Sequence, residues 1–248
     1  MNDKLNVVIM AGGLGKRMNS SVPKVLHKIL NKPMLVRVIE ESINLHPSKI
    51  IIVVGKYREI IEKTVHEYVD THKHSIVFVD QPDAQGTGHA IQCCATTLTQ
   101  EDAKFTIILS GDVPLLKSET MREMLKNVNK VKIMTAEFDN STGYGRIAEI
   151  DSIFVKIVEE KDCSAEEKKI KKINGGIYAF DTETLCKYLP YLSNNNSQKE
   201  YYLTDIVEII KTNENIEIDM FNIRKDKHYE IMGINTADQL LELEKLMV

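Results

Sequence analysis

Tryptophan is absent from this 248-residue chain and cysteine is scarce, with four residues. The thiols are Cys93, Cys94, Cys163 and Cys186; two are adjacent and none forms a C-x-x-C pair. That spacing supplies neither a disulfide framework nor a zinc site, so the expected compartment is a reducing, cytoplasmic one with thiols as packing residues. Every apolar run falls short of the ~18 residues that a bilayer span needs. The opening residues, Met1-Asn2-Asp3-Lys4-Leu5-Asn6, lack the apolar stretch of a secretory signal. Charge of one sign is not in excess either: 32 Lys and Arg stand against 36 Asp and Glu, a net charge of −4. A chain so balanced has no general attraction to nucleic acid or to an anionic membrane, and a phosphate-bearing ligand has to be held by a local site. Internal repeats are also missing, including the hexapeptide series that would wind a β-helix.

What the chain does contain is 43% hydrophobic and 27% charged residues, the proportions of a folded globular protein. At about 150 residues per domain the length fits one large domain or two small ones. Short apolar runs at 7–10, 49–54 (KIIIVV), 75–80 (SIVFVD) and 105–109 (FTIIL) read as buried strands. Amphipathic stretches at 33–45, 57–69, 88–98 and 118–128 read as helices; Pro33 suits a first helical turn, and Leu35, Val38, Ile39 and Ser42 share one face. Strands apolar on both sides, alternating with helices, predict an α/β fold whose mostly parallel sheet is covered on both faces. The second half is more mixed, with strands expected at 131–138, 146–150, 153–158 and 173–180. Ser164 with Glu167, and Thr236 with Gln239, form capping-box patterns that open a short charged helix and a terminal helix. The polar stretch SNNNS at 193–197 reads as a surface loop.

In open α/β sheets ligands bind beyond the carboxyl ends of the strands. Three turn-rich segments fall there: AGGLGKRM (11–18), QPDAQGTG (81–88) and GDVP (111–114). Gly12, Gly13 and Gly15 let the backbone approach a ligand and aim N–H groups at phosphate, although glycines alone also make a flexible turn. A P-loop, G-x-x-x-x-G-K-[ST], fails twice: Arg17 follows Lys16, and Met10 stands where the first glycine belongs. A dinucleotide fingerprint fails at Met18. What remains is a glycine loop followed by Arg17 and Lys24. Such a pair suits a triphosphate, because Arg grips phosphate oxygens bidentately and Lys acts as a point charge.

The motifs AGGLGKRM, PKVLH, QGTGHA, GDVPL, GYGRI, VEEKD, INGGIY, NNNSQKEYYLTD and GIN resemble, in order and spacing, the bacterial N-acetylglucosamine-1-phosphate uridyltransferases, in particular their N-terminal pyrophosphorylase domain. The resemblance covers about the whole chain. The glycine loop marks only the wider sugar-nucleotidyltransferase superfamily, whereas GTGHA, GYGRI and EYYLTD point to the uridyltransferase branch. The resemblance implies a Rossmann-like nucleotidyltransferase fold, with residues 1–248 as one domain. It implies transfer of UMP from UTP to N-acetylglucosamine-1-phosphate, with Mg²⁺ as cofactor. It assigns Arg17 to the departing pyrophosphate, Lys24 to the phosphates of both reactants, and Asp112 and Asn235 to the metal. It sets the nucleotide against Ala11, Gly12, Gly13, Gln81, Gly86, Thr87 and Gly111, and the sugar against Gly145, Glu159, Asn174, Tyr202 and Thr204. His89 is expected to be structural rather than a base.

Each residue has a plainer reading when taken alone. Asp112 suits a turn before Pro114, Asn235 a cap before Thr236, Glu159 one more exposed acid beside Glu160 and Asp162, and Tyr202 core packing. The chain also departs from the family pattern: Lys16 replaces a common threonine, Gly175-Gly176 replaces Thr-Gly, and Ala84 stands near an expected glutamine, with Gln85 adjacent. The bifunctional relatives continue into a left-handed β-helix that acetylates glucosamine-1-phosphate. With Val248 last, no acetyltransferase domain is expected. The oligomeric state, which that β-helix sets in the family, stays open, a monomer included. The alternatives are another sugar-1-phosphate nucleotidyltransferase, using glucose-1-phosphate or dTTP, and a regulatory protein that senses a sugar nucleotide without turnover.

Overall fold

In the computed structural model, residues 4–246 are described apart from Leu14, Lys16, Arg17, Asn19 and Glu101. The apolar runs become strands that lie side by side. The first half carries β1 (Leu5–Met10), a small hairpin of β2 (Lys28–Ile29) and β3 (Lys32–Pro33), α1 (Met34–Ile43), β4 (Lys49–Val54), α2 (Arg58–Tyr68), β5 (Ile76–Asp80), α3 (Thr87–Cys93), α4 (Ala95–Thr99), β6 (Phe105–Ser110) and α5 (Ser118–Met124). The second half adds β7 (Val131–Glu137), β8 (Arg146–Ile150), β9 (Ile153–Val158), β10 (Lys172–Asp181), α6 (Thr182–Tyr188), α7 (Asp205–Glu214), β11 (Asp219–Asn222) and α8 (Ala237–Leu246).

Nine strands form one mixed sheet in the order β11-β7-β10-β6-β1-β4-β5, with β8 pairing β10 and β9. Four of the six pairings along that path are parallel: β11–β7, β6–β1, β1–β4 and β4–β5. The two antiparallel ones belong to β10, which lies between β6 and β7 and joins the halves. Strand residues alternate between two cores. Val7 and Ile9 of β1, Ile50, Ile52 and Val54 of β4, and Ile107 and Leu109 of β6 face α1, α2 and α5. Val8, Ile51, Val53 and Ile108 face α3, α4, α6 and α7. Both faces are covered, so β4 reads as a continuous apolar run and all five residues from Ile50 to Val54 are fully buried. Each such side chain contributes about 1.5–3 kcal/mol by leaving water. The edges are less apolar: β11 is four residues long and begins at Asp219, which pairs with Lys132 at 3.4 Å. No β-helical coil occurs among the described residues.

The expected elements form, with shorter helices. The helix expected at 88–98 splits into α3 and α4 because the chain tightens at Cys94, whose N–H bonds the Ile91 carbonyl, three residues back, at 2.9 Å. The helix expected at 118–128 stops at Met124, and Asn127 turns the chain with a φ of +55°. The Ser164–Glu167 capping box forms reciprocally, at 2.8 and 3.2 Å, yet opens only a three-residue turn because Ile170 is already extended. The Thr236–Gln239 box forms and opens α8 as expected.

Candidate active site

Parallel strands β1, β4, β5 and β6 end on the same side of the sheet, and the motif-bearing loops gather there. Asp112 follows β6 by two residues. Its Oδ1 accepts a hydrogen bond from Ser110 Oγ at 2.6 Å, and its carbonyl accepts the Ile234 N–H at 3.0 Å. The second contact ties the GDVP loop to the Gly233-Ile234-Asn235 loop, far later in the chain. Asn235 is itself fixed by its N–H, which donates to Gln239 Oε1 at 2.7 Å. Lys24 enters from a short 3₁₀ turn anchored by buried Val25 and Leu26. Gly15, at a φ of +60°, permits this approach, since a Cβ there would lie 2.6 Å from the Lys24 Cβ. The Lys24 ammonium pairs with Asp112 Oδ2 and donates to Asn235 Oδ1 at 3.1 Å. The Lys24 and Asp112 side chains are each 15% exposed, so water screens the pair only weakly.

Three distant segments thus converge on one cation. A carboxylate and an amide oxygen facing the same point are hard donors, and an ammonium stands between them. Among the described residues no group of three or more His, Cys, Asp or Glu could hold a metal. The pair fits Mg²⁺, which takes few protein oxygens and completes its shell with water and substrate phosphates.

Two cavities meet at this centre. The first, of about 580 Å³, is lined by Gly12, Gly13, Lys24, Gln81, Gly86, Thr87 and Asp112, together with Ala84 and Glu200. Gln81 is held on a cavity wall by two contacts of its Nε2, to the Gly86 carbonyl at 3.0 Å and to His89 Nδ1 at 3.3 Å. Its Oε1 faces Gly12, where a Cβ would approach to 3.1 Å. His89 therefore orients an amide. The glycines of QGTGHA are required by the segment 201–203, which lies directly against them. A Cβ on Gly86 would meet the Tyr201 carbonyl oxygen at 2.5 Å, and one on Gly88 the same atom at 2.9 Å. Hydrogen bonds lock the two segments: Gly88 N–H to the Tyr201 carbonyl at 2.7 Å, Tyr201 N–H to the Gln85 carbonyl at 2.8 Å, and Leu203 N–H to Thr87 Oγ1 at 3.0 Å.

The second cavity, of about 230 Å³, is walled by Gly145, Glu159, Asn174, Gly175, Gly176 and Thr204, with Tyr144 and Tyr178 behind them. Thr204 Oγ1 donates to Glu159 Oε1 at 3.0 Å. Burial pushes the Glu159 carboxyl above its usual range; the Thr204 hydrogen bond opposes this, and Asp205 and Asp162 add to it. The amide of Asn174 is held at both ends: Nδ2 donates to the Tyr178 hydroxyl at 2.6 Å, and Oδ1 accepts the Gly176 N–H at 3.2 Å. Four residues apart on a regular strand, Asn174 and Tyr178 would lie too far apart to touch. The β10–β7 register shifts between them, and Gly176, at a φ of +70°, absorbs the bulge. Tyr144 packs edge-on against Phe138, with centroids 5.1 Å apart, and accepts a hydrogen bond from the Gly233 backbone. Burial, more than Asp112, pushes its hydroxyl up.

Most of the expected site residues are brought together, and three stand off the cavity walls. Ala11 is 2% exposed in the core, with its N–H on the Val53 carbonyl at 2.8 Å. Gly111 directs its N–H to the Met10 carbonyl at 2.9 Å, and a Cβ there would press on Val25 and Leu35. Tyr202 is buried, with its hydroxyl accepting from Gln198 Nε2 at 2.8 Å. Arg17 lies outside the described residues, as does Lys16. Ser110, Tyr144 and Tyr178 escaped the sequence reading. Ser110 had one signal, its place at the end of a buried strand just before Gly-Asp. A larger cavity, about 620 Å³, opens at the opposite end of the strands beside Lys4, Lys104 and Thr182, and none of the motif residues lines it.

Residues 7–164 match the family of MobA-like NTP transferase domains. A protein of Acanthamoeba polyphaga mimivirus named "Probable UDP-N-acetylglucosamine pyrophosphorylase" is 39% identical over 251 residues, covering 99% of this chain and 97% of that one. The bifunctional protein GlmU of Alkaliphilus metalliredigens is 40% identical over 249 residues, which is 98% of this chain and 52% of that protein. This chain therefore spans about half the length of such bifunctional relatives. Among solved structures, a UDP-glucose pyrophosphorylase complexed with UDP-glucose superposes with a TM-score of 0.75 at 16% identity, covering 98% of both chains. That likeness confirms the Rossmann-like fold. With a match to the mimivirus protein that runs nearly end to end, the chain belongs to the nucleotidyltransferases with a MobA-like domain, in the family of the UDP-N-acetylglucosamine pyrophosphorylases.

Proposed function

We propose that the chain is one nucleotidyltransferase domain that transfers UMP from UTP to N-acetylglucosamine-1-phosphate, releasing pyrophosphate and UDP-N-acetylglucosamine. The observation that carries this reading is the convergence of Lys24, Asp112 and Asn235 where the two cavities meet. The first cavity takes the nucleotide, with the Gln81 amide and the backbone near Gly12 turned to the uracil edge. The second takes the sugar, with Asn174 and Glu159 meeting its acetamido and hydroxyl groups.

A sugar-1-phosphate oxygen attacks the α-phosphorus of UTP; the new O–P bond forms as the bond to the β-phosphate oxygen breaks. The nucleophile is already anionic, so no catalytic base is required, and positioning with charge stabilisation supplies the rate. Lys24, at the junction, is placed to bridge phosphates of both reactants. Arg17, on the glycine loop, would take the departing pyrophosphate. Asp112 and Asn235 would hold Mg²⁺, which, when bound, neutralises phosphate charge as the leaving group departs. Glu159 and Asn174 bind the sugar, and neither transfers a proton. Unpaired thiols at all four cysteines support a cytoplasmic setting.

The test is pyrophosphate release with a panel of nucleoside triphosphates and sugar-1-phosphates in the presence of Mg²⁺. UTP with N-acetylglucosamine-1-phosphate is expected to give the highest kcat/KM. Equal use of glucose-1-phosphate would reduce the reading to a general sugar-1-phosphate transferase, and no release with any pair would leave a binding protein.

A further inference from the structure

The two oxygens read above as metal ligands are both engaged by one side chain. The Lys24 ammonium pairs with Asp112 Oδ2 and donates to Asn235 Oδ1 at 3.1 Å, which is the point a divalent cation would share between them. We infer that Lys24 is a built-in competitor for the divalent cation, neutralising Asp112 until phosphate oxygens arrive to receive the ammonium. The inference rests on the proposed roles of Asp112 and Asn235.

Three features of the site support it. First, Asp112 Oδ1 already accepts from Ser110 at 2.6 Å, which leaves Oδ2, the oxygen the ammonium holds, as its less committed oxygen. A cation seeking Oδ2 meets the ammonium there. Second, Asp112 is the carboxylate that the Lys24 ammonium pairs with, and among the described residues no cluster of three or more metal-ligating side chains occurs. One carboxylate cannot neutralise an ammonium and a divalent ion together. At 15% exposure their repulsion is weakly screened. Third, the Lys24 backbone is held at the turn, so a change of partner falls to its side chain. Val25 and Leu26 are buried and Gly15 packs against the Lys24 Cβ, so movement is confined to the four-carbon side chain. The natural destination is the first cavity, which Lys24 lines. Anionic substrate that draws the ammonium away frees Oδ2, so substrate and metal favour each other's binding through Lys24.

The experiment measures Mn²⁺ binding by electron paramagnetic resonance, in the absence of nucleotide, to the full-length wild type, Lys24→Met, Lys24→Gln, Asp112→Asn and the Lys24→Met/Asp112→Asn double variant. Melting curves check folding, and Lys24→Gln serves if the methionine variant unfolds. Removing the ammonium should tighten Mn²⁺ binding on the order of tenfold or more, as expected for deleting a unit like charge at contact distance. The double variant should lose that gain. Mn²⁺ affinity unchanged or weaker in both Lys24 variants, with Asp112→Asn still abolishing binding, would overturn the competitor role and leave the metal ligands standing. Unchanged binding in Asp112→Asn would remove the metal ligands and this inference with them. Pyrophosphate release by wild type tests the proposed reaction separately.

Discussion

At the scale of single residues, the region around Glu159 concentrates negative charge that the fold tolerates at a cost. Asp205 opens α7 next to Thr204, the residue that holds Glu159. Burial pushes its carboxyl from an ordinary value of 3.8 up to about 6, and Glu208 and Asp162 add to the rise. A carboxyl raised in the folded state favours folding while protonated. That contribution is complete below the unfolded value near 3.8 and is lost as the pH climbs through about 6. Asp205→Asn keeps the shape without the charge. The variant should match wild type at pH 3.5 and exceed its stability by about 1 kcal/mol at pH 7.5, a figure discounted for partial exposure and for the favourable dipole of a helix first turn. Urea unfolding at the two pH values measures it. A stability difference independent of pH would show that the Asp205 carboxylate is not under strain.

At the scale of elements, the closest contact near the site is the one between the start of α3 and the segment 201–203. Gly88 sits where a Cβ would meet the Tyr201 carbonyl at 2.9 Å and Leu192 Cδ1 at 2.7 Å. The leucine can rotate, but the backbone cannot yield without stretching the Gly88 N–H bond to Tyr201. Gly88→Ala should therefore destabilise the fold by about 1–3 kcal/mol, the usual cost of overpacking. It should also raise KM for UTP more than for the sugar phosphate, since Gly86, Thr87 and Gln81 move with α3. Thermal melting and the two KM values check it, and a variant with native stability and unaltered KM for UTP would contradict the packing argument. Such tertiary contacts mark the limit of what the chain's pattern discloses. The buried strands and the glycine loop with Lys24 were legible from local pattern, whereas Asp112 and Asn235 were singled out through the family resemblance, since taken alone they read as a turn and a cap. The bond between Asn174 and Tyr178 was not, because a period of two keeps such residues apart and only the bulge at Gly175-Gly176 closes the distance. Nor was α7, whose buried face of Ile206, Val207 and Ile210 is short and follows a long polar loop. Ala11 is buried, and a Cβ on Gly111 would press on Val25 and Leu35, so both stand behind the cavity wall that their neighbours line.

At the scale of the molecule, the two cavities draw on different halves of the chain, and β10 joins those halves by pairing with both β6 and β7. The first cavity is built chiefly from loops after β1, β5 and β6, the second chiefly from β9, β10 and the start of α7, with Met10, Thr87, Ser110 and Asp112 common to both. A ligand spanning both should tie the halves together, whereas one filling a single cavity should not. At equal free concentration UDP-N-acetylglucosamine should accordingly raise the melting temperature more than UTP or N-acetylglucosamine-1-phosphate, because contacts in both cavities lower its Kd. The variants separate the contributions. Asn174→Ala should shrink the shift from the sugar nucleotide by a few degrees and leave the UTP shift in place, while Gln81→Ala should shrink both. Losing one buried hydrogen-bonding partner costs about 1–3 kcal/mol, or roughly 2–4 °C per kcal/mol in a chain of this size. Asn174→Ala should also narrow the preference for N-acetylglucosamine-1-phosphate over glucose-1-phosphate by roughly one decade in kcat/KM. If Asn174→Ala weakened UTP and UDP-N-acetylglucosamine alike, the two cavities would not be separate subsites. The junction at Lys24, Asp112 and Asn235 would then bind one undivided ligand instead of aligning two reactants.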